Sequence, residues 1–339
     1  MTTKRRVLFH RSWTKFNGGT SGGQLKVRDA FEHFKASDRF EPYVYFGEET
    51  VWFDNPGNYW LPYKDYGLSK WEILPSDILF FAGHDWKILS KQTAINPPVP
   101  VLNIAQPRHT NKEDPRNKFL TNPAIRIAKS TIGKQILESY GVNGPVFLIP
   151  DAIDMSELPP SNRSPELDFV IVGLKNPELA KKLKRKFQKK NFWRRTKWKF
   201  EIQLPPKLPT RYDFLKLVNS AKIVVFLPLE ASHGSEGFYL PALEAMAMNK
   251  FVICPYAVGN IDFCIHEQTC LVPDYDVDSI YKETLRALTM PESSRQEIIK
   301  SARKISENHD IKQERRSLLK LLHSADEIWH DKGNFRFRE

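Results

Sequence analysis

The chain of 339 residues holds only three cysteines, Cys254, Cys264 and Cys270. They are odd in number and lack the C-x-x-C spacing of a zinc or redox site, which excludes a disulfide framework and implies a reduced, intracellular protein. Long hydrophobic runs are also missing. No stretch approaches the roughly 18 apolar residues that a spanning helix requires, so any membrane is met from the side. The opening MTTKRRVLFHRSW passes from charge straight into a short strand pattern without the apolar core of a secretory signal, so a cytoplasmic location is expected. There is no repeat of fixed short period and no low-complexity tract, which excludes solenoids and disordered arrays. Acidic residues are absent from 181–200, KKLKRKFQKKNFWRRTKWKF, which carries eleven Lys and Arg.

That last absence accounts for the whole charge imbalance. The chain has 51 basic and 40 acidic residues, a net charge of +11, so everything outside 181–200 balances to zero. With 12% aromatic and 41% hydrophobic residues the chain is too rich in core-forming side chains to be disordered. Its length suits two domains of roughly 150 residues.

Short apolar runs alternate with helical patterns throughout. Arg6–His10 leads through a glycine loop into a helix on which Val27, Ala30, Phe31 and Phe34 recur at helical spacing. Tyr43–Phe46, Ile78–Ala82, Val99–Ala105 and Val146–Ile149 read as further strands of an N-terminal domain, 1–150. Residues 151–165 are rich in Pro, Ser and Asp and read as a linker. In 166–318, strands at Phe169–Gly173, Lys199–Gln203, Lys222–Leu227, Phe251–Cys254 and Thr269–Val272 alternate with helices at 177–190, 211–220, 239–249 and 279–289. The charged helical stretch from Glu292 onward is long enough to pack on the second domain and return toward the first, with 319–339 as the returning tail. Strands alternating with helices define an α/β protein with parallel sheets covered on both faces.

The richest segment for chemistry is Ser235–Cys254, SEGFYLPALEAMAMNKFVIC. Pro241 suits the first turn of a helix, and Ala242, Ala245 and Ala247 give that helix a slim face able to lie close to a sheet. Amides of Phe238, Tyr239 and Leu240 then point out of its N-terminus, a natural place for a phosphate. Glu236 falls in the loop before the helix and Glu244 about one turn inside it, so the two carboxylates reach hydroxyl groups ahead of the helix and beside it. Two solvated glutamates near a helix start are the plain alternative.

EGFYLPALEAMA resembles the E-x7-E signature of retaining GT-B glycosyltransferases of the family 4 type, and the resemblance runs over most of the chain. FNGGTSGGQ is similar to the family's glycine loop after the first strand, AIRIAKSTIGKQILESYGVNGPVFLIPDAID to its entry into the interdomain linker, and PYAVGNIDFCIHEQTCLVPDYDVDSI to the stretch after the glutamate helix. The linker reads Pro150, Asp151, Ala152, Ile153, Asp154 where the family has P-N-G-x-D. The resemblance implies two Rossmann-like domains facing across a cleft, the second holding a nucleotide-sugar donor. Glu244 would then bind the donor ribose and Glu236 the sugar hydroxyls, with Gly237, Phe238, Tyr239 and Leu240 along the donor. Gly18, Gly19, Gly22 and Gly23 would let backbone approach a ligand, or would only permit the turn. They do not spell the G-x-G-x-x-G of a dinucleotide site.

A diphosphate leaving group needs a cation. The family supplies Arg and Lys after the first strand of the second domain, where this chain has FVIVGLKNPELAKK, so Lys175 takes that role and the Arg is missing. Arg211 would substitute, unless Thr210 and Asp213 only cap a helix. His84, in DILFFAGHDW, resembles the family's active-site histidine, with His109 a lesser candidate; a structural histidine is the alternative for both. Asp274, Asp276 and Asp278 form D-x-D-x-D, but they directly precede a helix and capping explains them, so no metal is expected. No cofactor beyond the nucleotide-sugar substrate is expected either.

The composite expectation is a retaining, metal-independent glycosyltransferase that moves a sugar from a nucleotide-sugar to a cell-envelope glycan or lipid-linked acceptor. Residues 181–200, with Trp193 and Trp198, would rest on an anionic membrane surface. The alternatives are a nucleic-acid partner for the same stretch, whether as a nucleic-acid-modifying enzyme or as a plain binding protein, and a GT-B epimerase or phosphorylase. The eleven aromatics of 40–71 either form core or stack on acceptor sugars.

Overall fold

The computed structural model describes residues 4–15, 20–162, 164–230 and 236–336. The chain divides into two compact units, Met1–Pro150 with Lys312–Glu339, and Asp151–Ile311.

The first unit contains β1 (Arg5–Arg11), α1 (Gly22–Lys35), β2 (Phe40–Phe46), β3 (Ile78–Ala82), α2 (Lys91–Ile95), β4 (Val101–Ile104), β5 (Ile125–Ala128), α3 (Thr131–Tyr140) and β6 (Val146–Leu148). Its sheet is parallel in the order β2-β1-β3-β4-β5-β6. Val7, Leu8 and Phe9 are wholly buried because β1 is paired on both edges and covered on both faces, which is why it reads as a continuous apolar run. Strand β5 was not expected as a separate element. It is short and carries a cation, Arg126, which the fold buries, its Nη1 donating to Asn103 and its Nη2 to the carbonyls of Phe119, Leu120 and Asn122. Most aromatics of 40–71 pack on this core: Phe40 and Trp60 are buried, and Tyr43, Phe46, Trp52, Tyr59, Tyr63 and Trp71 lie against them.

The second unit runs β7 (Leu167–Val172), α4 (Pro177–Phe192), β8 (Phe200–Gln203), α5 (Arg211–Asn219), β9 (Ala221–Phe226), α6 (Leu240–Ala247), β10 (Phe251–Ile253), α7 (Val277–Thr289) and α8 (Glu292–Glu307). Its parallel sheet has the order β10-β9-β7-β8. Alternate residues of β7 enter cores on opposite faces, Val170 and Val172 on one and Phe169 and Ile171 on the other. The strand expected at Thr269–Val272 does not form. Leu271 makes only an isolated bridge to Ile253, because Thr269 Oγ1 accepts from Ile265 N at 2.8 Å and donates to the Phe263 carbonyl, folding the chain into a tight turn.

After α8, the chain returns to the first unit from Lys312, earlier than the tail expected at 319, in α9 (Ile311–His323) and α10 (Ala325–His330). Leu318, Leu321, Leu322, Ala325 and Trp329 join the core of β1. Buried Glu314 of α9 pairs with Lys26 at 2.7 Å and Lys129 at 3.4 Å, an arrangement that tethers the returning helix by charge as well as by apolar surface.

Candidate active site

In the second unit the site is built at the carboxyl ends of β7 and β9, where parallel sheets present loops and helix N-termini to ligands. Gly173 follows β7 directly, and a Cβ there would stand 2.2 Å from the Ala180 Cβ, so glycine is what lets α4 pack tightly on the strand end. Asn176 caps α4 by accepting from Leu179 N at 3.1 Å, and Pro177 opens the helix. Lys175 is thereby held in the short turn between strand and helix. Its side chain is 47% exposed, and its Nζ lies 3.7 Å from Glu236 Oε1.

Glu236 is buried and its placement is over-determined. Its Oε1 accepts from Leu229 N at 3.3 Å, and its backbone bridges Val258, which holds a left-handed φ of 63°. Behind it stands Gly259, where a Cβ would come within 2.5 Å of Phe238 N and 2.6 Å of the Glu236 carbonyl. Buried Asn260 locks that turn by accepting from Ala257 N at 2.8 Å and donating to the Pro255 carbonyl at 2.9 Å. Tyr239 N donates to the Gly259 carbonyl at 3.3 Å, and α6 begins at Leu240 with Pro241 in its first turn. Phe238 packs on Phe263 and His309, and Tyr239 is buried against Phe226, so these residues offer backbone rather than side chains to a ligand.

Glu244, buried on α6, receives Arg211 Nε at 2.9 Å and also Arg211 Nη2 on the same oxygen; Arg211 Nη1 reaches Glu157 at 2.9 Å. The capping alternative for this segment holds as well, since Thr210 accepts from Asp213 N at 3.1 Å. Arg211 is therefore engaged with the second glutamate, whereas Lys175 is engaged with the first. Lys207 is exposed, and desolvation of its ammonium and the positive charge of Lys175 hold it below the ordinary lysine range. Nothing in its local sequence, PPKLP, announces it. Gly259 was equally illegible as a lone glycine, and the Arg211–Glu244 pair joins residues 33 positions apart.

Asp276 caps α7 by accepting from Asp278 N and Ser279 N, and Asp278 pairs with Lys186, consistent with a capping role for D-x-D-x-D. Among the described residues no group of three or more His, Cys, Asp or Glu is arranged to hold a metal ion. No helix among them is long and apolar enough to cross a membrane.

In the first unit His84 follows β3 after Gly83, whose φ of 61° makes the turn. Asp85, next in sequence, fixes that turn: its buried carboxylate accepts from Ala82 N at 2.7 Å and from Arg11 Nη1 at 2.8 Å, and Arg11 Nε reaches Gln24 at 3.1 Å. The His84 side chain reaches solvent. Partial burial and the nearby cations Lys87 and Arg116 lower its pKa below the ordinary histidine value. His109 takes the structural alternative: it is buried, its Nδ1 accepts from Gln106 N at 3.3 Å, and burial with Arg116 and Arg108 lowers its pKa to about 3. Gly18 and Gly19 lie outside the described residues, whereas Gly22 and Gly23 open α1 behind the Ser21 cap.

The two parallel-sheet α/β units have the fold of the GT-B glycosyltransferases. Sucrose-phosphate synthase from Thermosynechococcus elongatus matches with a TM-score of 0.66 at 13% identity, over 95% of this chain and 99% of that one. HepE from Anabaena in complex with UDP-glucose matches with a TM-score of 0.68 at 13% identity, over 94% and 100%. A glycosyltransferase from Rickettsia africae matches with a TM-score of 0.60 at 14% identity, over 97% and 100%. Within the chain, residues 149–305, which span nearly all of the second unit, match the family of glycosyl transferases group 1. No curated protein is similar in sequence over the chain.

Proposed function

We propose that this protein is a retaining, metal-independent glycosyltransferase that transfers a sugar from a nucleotide-sugar to a cell-envelope glycan or lipid-linked acceptor on the cytoplasmic side. The observation that carries this reading is the pairing of Lys175 with Glu236 at 3.7 Å ahead of α6, with Glu244 one turn inside the helix. It is supported by the group 1 glycosyl transferase match over the same residues and by the UDP-glucose held by one structural neighbour.

On this reading Glu244 accepts from the donor's ribose hydroxyls and Glu236 from the sugar hydroxyls. Lys175 and the α6 amides face the diphosphate, with Lys207 adding positive charge. The bond between C1 and the β-phosphate oxygen breaks first, and its electron pair stays on the nucleoside diphosphate. That developing charge is what the ammonium groups and helix amides stabilise. The acceptor oxygen then bonds to C1 from the face just vacated and its proton passes to the departing phosphate, so the configuration is retained.

The direct test is a thermal-shift panel of nucleotide-sugars. A donor at about 100 times its dissociation constant stabilises by about 2.7 kcal/mol, which a melting curve resolves. A panel without any shift overturns the reading. Activity is expected to survive EDTA, and its loss with recovery on Mn²⁺ or Mg²⁺ would refute metal independence.

A further inference from the structure

The most exposed aromatic pair of the second unit lies within its most basic segment. Helix α4 turns Ala180, Leu183 and Phe187 into the core, as its apolar spacing requires, and then ends on Phe192 and Trp193, whose side chains are 72% and 79% exposed. The two rings meet edge to face at 5.1 Å. Lys197 donates to the Asn191 and Phe192 carbonyls at 2.7 Å each, so the helix end is closed and the pair stands on an ordered turn. Trp198 is not part of this surface, contrary to the expectation of two tryptophans on the basic face. It is half-buried against Phe187 at 6.0 Å, with the Arg194 guanidinium over it at 3.8 Å.

Two of the cations in 181–200 are matched by carboxylates, Lys181 by Glu178 and Lys186 by Asp278. Lys189, Lys190 and Arg195 are exposed beside the aromatic pair, and no acidic residue occurs in the segment. An apolar protein interface would bury these charges at a cost. A bilayer fits both features, because its anionic headgroups lie directly above an apolar layer into which aromatic side chains descend. Nucleic acid fits less well. Bases stack on open ring faces, whereas Phe192 has Trp193 against it and Lys197 over it at 6.0 Å, and Trp198 is covered by Arg194.

We infer that Phe192 and Trp193 form an aromatic wedge, ringed by Lys189, Lys190 and Arg195, that docks this protein on an anionic phospholipid membrane. The inference is independent of the transferase reading. Its test is co-sedimentation of the full chain at low salt with phosphatidylcholine vesicles, with and without phosphatidylserine. Retention on the mixed vesicles is expected, and about tenfold or more is to be lost either on neutral vesicles or in Phe192→Ser/Trp193→Ser, because one contribution is charge and the other apolar insertion. Since both side chains are exposed, the double variant is expected to melt with wild type. Failure of the wild type to bind mixed vesicles, full binding by the double variant, or retention by duplex DNA without retention by vesicles would each overturn the proposal.

Discussion

The two glutamates have different surroundings and therefore different expected phenotypes. In the proposed function Glu244→Ala removes a charge-assisted acceptor for the donor and is expected to weaken nucleotide-sugar binding by about 1.5–3 kcal/mol, roughly tenfold to more than a hundredfold in Kd by titration calorimetry. Glu236→Ala is expected to lower kcat by about a hundredfold or more with a smaller change in donor affinity, since in the proposed function its carboxylate, paired with Lys175 at 3.7 Å, faces the sugar. Wild-type constants in both variants would refute the assignment. In the other unit, Asp85→Ala leaves Arg11 buried without its counter-charge and is expected to cost about 3–5 kcal/mol by denaturant unfolding. Arg11→Met/Asp85→Leu, which removes both charges, should recover most of that loss. The glutamates stood out in the sequence because their spacing resembles a known pattern. Asp85 did not, because its partner Arg11 is 74 positions away.

Helices and strands meet here through glycines, and two of them make sharp predictions. Gly173→Ala drives a Cβ into Ala180 across the junction of β7 and α4 and is expected to destabilise by about 1–3 kcal/mol. Ala180→Gly in the same chain relieves that clash, so the double variant should regain stability less about 1 kcal/mol of helix propensity. Gly259→Ala instead presses on backbone, the Phe238 amide and the Glu236 carbonyl, and has no such rescue. It is expected to lower kcat as well as the melting temperature, because the displaced segment carries Glu236. Loss of stability with unchanged kcat would dissociate that turn from the site.

Stability across pH is a property of how the first unit is assembled. Its His109 titrates near 6.5 when unfolded but only at about 3 when folded, owing to burial and nearby arginines. Folding is therefore undercut as pH falls below 6.5, by about 2 kcal/mol at pH 5. Elsewhere in this unit, burial lowers His10 to about 4 and raises Asp85 to about 7, and these two shifts oppose one another as pH falls. Burial of Glu314 opposes its ionisation, yet Lys26 and Lys129 hold its carboxyl below the usual range, so its contribution is present above about 4.3 and lost below. The melting temperature is expected to fall between pH 6.5 and 5 and to fall again below 4.5. His109→Gln should flatten the first step alone, and an unchanged slope there would assign the acid sensitivity elsewhere.

The alternation of apolar runs and amphipathic helices by itself specified two parallel α/β units, because burial on both faces of a strand writes a local pattern into the chain. Pro241 and the paired glutamates likewise announced a helix with carboxylates before and within its first turns, since helix starts obey local rules. Local pattern failed where the deciding partners are distant or where polar groups compete with strand pairing. Arg126 hid β5, and the Thr269 hydroxyl replaced an expected strand by a turn. Only the folded chain brings Arg211 to Glu244 and Lys175 to Glu236, and it separates exposed Trp193 from half-buried Trp198 on one basic segment. Ion pairs and ring burial depend on positions in space that no periodicity encodes.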